Sequence, residues 1–264
     1  MGGILAAAIT RAARILLVSM SLLAGCAMLP DTQSVSGPRA FDPVRLLNAI
    51  VADDAGYVRG VVSSGAASVN QHIPAPVYME GTPLITIAAR SASLNVLRYL
   101  ISAGADVNAR TPAGETPLML AAYFKDQDAQ DGSSYERHES AVRLLVTSGS
   151  GLENEAHNYT PLAYAAYQGR ERTVRYLLER GASVDADASN GTIYVNTPLM
   201  MACIMGHMDT ALILLKAGAN PRVRVKEGMT AREFAIKYRH SGLARTLACA
   251  EGTAPGEAFS GKCL

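Results

Sequence analysis

The chain has almost no excess of charge of either sign. Its 264 residues contain 24 Lys and Arg against 23 Asp and Glu, which gives a formal net charge of +1. Nucleic-acid binding would call for a basic face, and this balance provides no general attraction to polyanions. Two local imbalances remain, a basic C-terminal end and an acidic segment at 125–139, and solvated surface is the commoner explanation for both. Nucleic acid is therefore not the expected partner.

Motifs for catalysis and metal binding are also missing. The sequence has no P-loop, no nucleophile elbow and no Cys-x-x-Cys pair, and its five histidines include no pair at the spacing of a metal-binding helix. In a calcium loop starting at Asp126, the sixth position needs glycine, but Asp131 stands there and Gly132 comes one residue late. We therefore predict no enzyme activity, no metal and no cofactor, and the acidic segment at 125–139 is interpreted as a solvated polar loop.

Long apolar runs are absent as well. Near the start, Arg11 and Arg14 precede an apolar run over residues 15–24, about half of the roughly 20 residues that a membrane-spanning helix needs. A basic start, a short apolar core and small residues after it are typical of an export signal. A permanent spanning helix is therefore not expected here.

The end of this run, Leu-Ala-Gly-Cys at residues 23–26, resembles the lipobox of bacterial lipoproteins. The resemblance implies a signal peptide over 1–25, cleavage before Cys26, and acyl chains such as palmitate on the Cys26 thiol. Each buried methylene contributes about 0.8 kcal/mol, so such an anchor is effectively permanent. Ala27 follows where an Asp commonly signals retention in the inner membrane, which favours the outer membrane, facing the periplasm. The alternative is a plain secretory signal with a chance cysteine. Residues 26–40 are interpreted as a flexible tether.

Cysteine is scarce, with four in the chain. If lipid occupies Cys26, three remain in an oxidising compartment. A bridge between Cys249 and Cys263 would pin the tail at 252–264 onto the last helix, and closing such a loop is worth about 3 kcal/mol in the chain-entropy model. Cys203 falls on a small core position of the repeat described next, so it is expected to be a buried free thiol.

Internal repetition is what the sequence has in abundance. A motif that combines Thr-Pro-Leu with a pair of small residues occurs four times, as GTPLITIAARS, ETPLMLAAYFK, YTPLAYAAYQG and NTPLMMACIMG. Each copy of this motif is followed by a second, apolar motif that ends at a glycine. The threonines of the four Thr-Pro pairs are 34, 44 and 37 residues apart, around a unit of about 33. They are Thr82, Thr116, Thr160 and Thr197, and the glycines are Gly104, Gly149, Gly181 and Gly218.

This pattern is similar to that of ankyrin repeats, and the resemblance covers most of the chain beyond residue 40. It implies an all-α solenoid of about six helix-turn-helix repeats over 41–251, with projecting β-turn fingers. The threonine would cap the first helix, with proline at its first position, and the glycine would end the second helix. Weaker copies at 45–70 and 228–251 are interpreted as terminal caps.

The repeats also depart from the family pattern. The histidine that usually follows Thr-Pro-Leu is missing, which predicts stacking by apolar contacts. The third repeat carries an insertion between Ala122 and Val142, and the fingers at 71–81 and 186–196 are lengthened. The residues that replace the histidine are assigned as Ile85, Met119, Ala163 and Met200.

In ankyrin proteins the residues after the small pair usually meet the partner, together with the finger tips. The corresponding row here is rich in tyrosine, a residue over-represented in interface hot spots. The alternative is that Tyr123 or Tyr167 packs only against its neighbouring helix. The row also contains Arg90, Ser91 and Lys237. The predicted partner-binding residues are Tyr123, Phe124, Tyr167, Gln168, Ile204, Met205 and Tyr238, with Tyr78 and Tyr194 on the two lengthened fingers.

These features predict a lipid-anchored protein that binds another protein in the periplasm and has no small-molecule substrate. Immunity lipoproteins against secreted lipases or wall hydrolases form a known class, and some bacterial ankyrin proteins serve in such pairs. The most specific hypothesis is therefore an immunity protein that neutralises a toxic hydrolase delivered to the periplasm. One alternative is a scaffold or accessory protein for a resident envelope enzyme, with oxidative-stress defence as one version. Another is an enzyme whose site is assembled across repeats.

Overall fold

The computed structural model describes residues 41–78, 81–123, 133–153, 159–185, 197–224, 228–252 and 263. Within them the chain forms six helix pairs and one short two-stranded sheet, as expected for an all-α solenoid of six repeats. The predictions for Cys26 and for segments 1–25 and 26–40 lie outside the described residues. The helices are α1 (Pro43–Val51), α2 (Ala55–Ser63), α3 (Leu84–Arg90), α4 (Leu94–Ser102), α5 (Pro117–Ala122), α6 (Ser133–Thr147), α7 (Pro161–Tyr167), α8 (Glu171–Glu179), α9 (Pro198–Met205), α10 (Met208–Lys216), α11 (Ala231–Lys237) and α12 (Ser241–Gly252), and the strands are β1 (His72–Ile73) and β2 (Thr82–Pro83).

Threonine caps determine where four of the first helices begin. The hydroxyl of each threonine accepts the backbone N–H three residues later, at 3.3 or 3.4 Å. Such a cap is worth about 1 kcal/mol, and proline is tolerated at the next position because its missing N–H would be unpaired there in any case. The capping residues are Thr116, Thr160, Thr197 and Thr230.

The second repeat begins differently, and the prediction that Thr82 caps its helix is wrong. Thr82 lies in β2, which pairs antiparallel with β1 so that Ile73 faces Thr82. Helix α3 then begins at Leu84, with Pro83 in the cap position and no side-chain cap. Between its Thr-Pro pair and its alanine pair, this repeat has one residue more than the other three copies of the motif. The additional residue accommodates the strand.

The same shift changes which residue replaces the missing histidine in this repeat. Counted from the first residue of α3, that position is held by Thr86 and not by Ile85. The Thr86 hydroxyl donates to the carbonyl of Pro83 at 2.6 Å, and Ile85 takes the fully buried leucine position. In the other three repeats Met119, Ala163 and Met200 are buried as expected.

Small residues at the end of each first helix let neighbouring repeats approach closely. The paired alanines of the second, third and fourth repeats are buried, as are Ala202 and Cys203 in the fifth. Cys203 is a free thiol, as predicted, and its burial raises its pKa well above the usual range, so it is unreactive as a thiolate. The four glycines predicted to end the second helices all have a left-handed backbone.

First helices of adjacent repeats pack more closely against each other than second helices do, and we call the side that the first helices form the inner, concave side. At the C-terminal end, Cys249 and Cys263 form a disulfide, with 5.5 Å between their Cα atoms. No helix in the described part of the chain is long and apolar enough to cross a bilayer.

Candidate protein-binding surface

Side chains link the fingers of adjacent repeats. In four successive junctions, an Asn, Asp or Glu side chain of one finger accepts a backbone N–H of the next finger, at 2.8 to 3.0 Å. These bonds join the described parts of adjacent fingers and hold them in register. The four pairs are Asn70 with Asp106, Asn108 with Gly151, Glu153 with Ser183, and Asp185 with Asn220.

Two histidines fix the backbone of the predicted binding row. His207 Nε2 lies 3.1 Å from the carbonyl oxygen of Tyr167, and His240 Nε2 lies 3.2 Å from that of Ile204. Burial lowers the pKa of His207, so this imidazole is neutral at physiological pH and can donate to the carbonyl. The missing histidines are therefore partly replaced by histidines in the turns between helices, and stacking is not purely apolar.

The predicted row lies where the first helices end. Tyr123 directly follows α5, Tyr167 is the last residue of α7, and Tyr238 directly follows α11. Tyr123 and Tyr167 stand at equivalent points of their repeats, and Tyr238 stands one position later, at the point that Met205 occupies in the fifth repeat. Gln168 follows Tyr167, and Ile204 and Met205 end α9. Phe124 and Tyr194 lie outside the described residues.

Tyr78, predicted on the first lengthened finger, is in the described part of the chain. It is half-buried and packs against the core, so its ring is only partly available to a partner.

Four tyrosines form a cluster on the inner side of repeats three and four. Tyr123 and Tyr167 are half-buried and stack with 6.1 Å between ring centroids and 19° between ring planes. Tyr123 also meets Tyr164 edge to face at 5.2 Å, and Tyr164 meets Tyr159 at 6.2 Å. We call these four residues the tyrosine cluster. Packing against neighbours, the alternative weighed for Tyr123 and Tyr167, therefore accounts for part of each ring.

Tyr159 and Tyr164 were missed by sequence reasoning. Tyr164 is buried at the position that Leu120 and Met201 hold in adjacent repeats. The sequence could have indicated its role, because tyrosine is larger than the residues at this position in those repeats. Burial raises the pKa of Tyr123, and neighbouring Tyr167 and Glu115 raise it further, while Arg90 opposes the shift. Burial also raises the pKa of Tyr164, so the hydroxyls of Tyr123 and Tyr164 stay protonated at physiological pH and can donate hydrogen bonds.

The C-terminal end of the row is more open. Met205, Ile236 and Tyr238 are 43, 57 and 46% exposed, the largest apolar exposures among the described residues beyond α1. Lys237 and Arg239, which alternate in sequence with Ile236 and Tyr238, are also exposed. We call these five residues the C-terminal patch. Ile236 was missed because a terminal repeat leaves uncovered a position that is otherwise buried.

The insertion in the third repeat corrects one prediction. Its second half is not a solvated loop, because residues from Ser133 onward extend α6 to 15 residues. The Tyr135 hydroxyl accepts the backbone N–H of Arg172 at 3.3 Å and so caps α8 of the next repeat. His138 is buried, and desolvation lowers its pKa to about 3. The acidic segment therefore supports the stack as well as carrying charge.

Metal-binding geometry is not found in the described ranges, where no group of three or more His, Cys, Asp or Glu side chains could hold an ion. Each side of Glu139 faces an arginine: its carboxylate lies 2.8 Å from Arg143 and 3.8 Å from Arg172. This carboxylate therefore takes part in ion pairs between repeats three and four.

Comparison with known proteins identifies the repeats as ankyrin repeats. A family model of ankyrin repeats (3 copies) matches residues 58–131 and 133–188, and a second model of ankyrin repeats (many copies) matches 162–215. Among similar proteins, the palmitoyltransferase Hip14 of Drosophila melanogaster is 41% identical over 88 residues, 33% of this chain and 13% of that protein. The ankyrin repeat and KH domain-containing protein mask-1 of Caenorhabditis elegans is 33% identical over 182 residues, 61% of this chain and 7% of that protein.

A third relative is the dauer abnormal formation protein 25 of Caenorhabditis elegans, which is 33% identical over 102 residues, 39% of this chain and 26% of that protein. The chain thus spans a quarter or less of the length of most of the curated relatives it matches. The likeness concerns the repeats and not the remaining domains of those proteins.

Proposed function

The chain belongs to the ankyrin-repeat family, whose repeats are protein-interaction modules, and we propose that it is a lipid-anchored binder of a partner protein in the periplasm. The observation that carries the proposal is the concave row, which joins half-exposed tyrosines to an exposed apolar end on a backbone fixed by histidines and finger contacts. Exposed aromatic and apolar groups on rigid supports favour tight binding, because little conformational freedom is lost on association.

Two observations support an exported location. The lipobox-like sequence ends at Cys26, and the disulfide between Cys249 and Cys263 is of a kind that persists in oxidising compartments and is rare in the cytosol. An acylated Cys26 would hold the repeats at the membrane surface through a tether of about 15 residues. Ala27 after the cysteine favours the outer membrane.

More specifically, we propose that the partner is a toxic hydrolase, such as a secreted lipase, that reaches the periplasm from another cell. A tethered binder without catalytic motifs suits this role, since neutralising an enzyme requires only that its active surface be covered. The protein would then act as an immunity protein, stoichiometrically and at the compartment where the toxin arrives.

A genetic experiment tests this function. The gene and any adjacent gene for a secreted hydrolase are deleted together, and the hydrolase is then expressed alone with an export signal. We expect growth arrest, with rescue by the full chain, and weaker rescue by Cys26→Ser because that variant loses its anchor. Healthy growth of cells that express the hydrolase alone would contradict the immunity role. Isolation of the chain with a resident envelope enzyme would instead assign it as a scaffold.

A further inference from the structure

The C-terminal patch exposes apolar surface where terminal repeats normally present polar side chains. Ile236 occupies the second position of the small pair, which is fully or almost fully buried in the four preceding repeats. In those repeats the position is held by Ala89, Ala122, Ala166 and Cys203. A solubility cap would carry a charged or small residue here, so the isoleucine is not explained by capping.

The charges around this apolar area are basic and are not neutralised by the repeat itself. Among the ion pairs in the described part of the chain, Glu233 pairs with Arg224 and Glu251 with Arg232, both at 3.3 Å. In this part of the chain neither glutamate pairs with Lys237 or Arg239, and the Lys237 ammonium instead lies 5.9 Å from the ring centroid of Tyr238. The exposed apolar area is thus bordered by two cations.

Arg239 stands in a backbone conformation that side chains disfavour. Its φ is +66°, in the turn between α11 and α12. The same turn position is glycine in the fifth repeat, where a Cβ on Gly206 would lie 2.5 Å from the His240 ring. No such ring faces Arg239 in the described residues, so its side chain fits, but the left-handed backbone still costs free energy.

In the first repeat, a side chain at this turn position makes a stabilising contact with the next repeat. Asp53 also has a positive φ, of 58°, and its carboxylate accepts the backbone N–H of Val96 at 2.9 Å, capping the next repeat's second helix. In the described part of the chain, no further repeat follows the one that contains Arg239. Within the same residues its only hydrogen bond is made by its backbone N–H, and its side chain is exposed.

We propose that the C-terminal patch docks an acidic segment of the partner protein, in which carboxylates flank an apolar side chain. The apolar side chain covers Met205, Ile236 and Tyr238, and the carboxylates pair with Lys237 and Arg239. This inference rests on the proposed function, because it names the chemistry of the partner's contact. Charge pairs at the rim of an interface act mainly on the association rate and on its salt dependence, so binding should weaken as salt rises.

A peptide selection tests the proposal without knowledge of the partner. Phage-displayed random 12-residue peptides are selected on the full chain, purified in mild detergent and immobilised. We expect the selected peptides to carry Asp or Glu within two residues of a large apolar side chain. Synthetic copies should bind at least tenfold more weakly to the variant K237E/R239E, and to Ile236→Glu. The variant R98E/R245E, which reverses two exposed charges on second helices, is the matched control and should retain the affinity.

The other outcomes separate this site from the proposed function. Peptides without carboxylates, or affinities unchanged by K237E/R239E, would overturn the docking site. If peptides lose affinity for Tyr123→Ala with Tyr167→Ala but not for the charge reversal, the concave row binds protein and the C-terminal patch does not. A chain that sediments as a dimer, and as a monomer after Ile236→Glu, would assign the patch to a second copy. If no sequence is enriched, both proposals are contradicted.

Discussion

The two ends of the concave row differ in how far their side chains are covered. In repeats three and four, Tyr123 and Tyr167 stack on each other at the ends of the first helices, and Tyr123 also contacts the buried Tyr164. In repeats five and six, the positions of these two tyrosines are held by Ile204 and Lys237, and the exposed Met205 and Tyr238 stand one position later. The comparison teaches that the neighbours of a side chain, and not its place in the row alone, decide whether it stabilises the stack or is available to a partner.

The largest contrast is expected in stability. Tyr164→Ala should lower the free energy of unfolding by about 3–5 kcal/mol, because it removes a buried ring and leaves a cavity under Tyr123. Tyr238→Ala should change it by about 0.5 kcal/mol or less, because that ring is exposed. Urea unfolding followed by circular dichroism measures both. Equal losses would remove the distinction between the tyrosine cluster and the C-terminal patch.

A binding measurement sharpens the same comparison. Tyr123→Ala with Tyr167→Ala should weaken binding to the partner about thirtyfold, the scale of a hot-spot truncation of about 2 kcal/mol. Because the two rings stack on each other and Tyr123 also packs against Tyr164, the double variant should also be less stable, which separates it from a pure surface change. Tyr123→Phe with Tyr167→Phe keeps the packing and is the control. Calorimetry would count against a contact role if affinity were unchanged.

Acidification should lower the free energy of unfolding through His138, which is buried in repeat three. His138 packs beside Ala121 in repeat three, and desolvation lowers its pKa to about 3, below the usual 6.5. The unfolded chain therefore takes up a proton near pH 6.5, while the folded chain does so only near pH 3. The stability is fully present above pH 6.5 and falls as the pH drops toward 3, by at most about 1.4 kcal/mol per pH unit.

The His138→Gln variant, which cannot gain this proton, provides the control for that prediction. Its free energy of unfolding should depend less steeply on pH between 6.5 and 3 than that of the wild type. Parallel pH profiles for the two proteins would show that His138 is not the group responsible.

The smallest expected effect concerns the backbone of the C-terminal patch. Arg239→Gly should raise the free energy of unfolding by about 1 kcal/mol, because glycine adopts the positive φ without strain. The same change should weaken binding of an acidic peptide, since one cation is lost. Thermal unfolding and peptide titration together test this. A variant that is both less stable and equally able to bind would contradict the interpretation of Arg239.

Much of the fold could be predicted from the sequence because local rules and long-range packing agree in these repeats. Threonine caps, left-handed glycines and small residue pairs act within a few residues of their position, and the periodic copies repeat the signal. The pairing of Cys249 with Cys263 was predicted from their closeness in sequence and from the core position of Cys203 in the repeat. The start of the second repeat could not be predicted, because β2 exists only through its pairing with β1 in the lengthened finger.

The candidate surface was only half predictable. The repeat register placed Tyr167, Met205 and Tyr238 correctly at the ends of first helices. It could not show that Tyr164 would pack against Tyr123, since that depends on the separation of two repeats in space. Nor could it show the exposure of Ile236, because the same position is buried wherever another repeat follows.

The side-chain bonds between fingers have a mechanical consequence. Each bond joins one finger only to the next, so the domain resembles a spring of similar coils in series, and its compliance grows with the number of junctions. A force applied between the two ends would act in full on every junction, and each would deform by only a fraction of the total displacement.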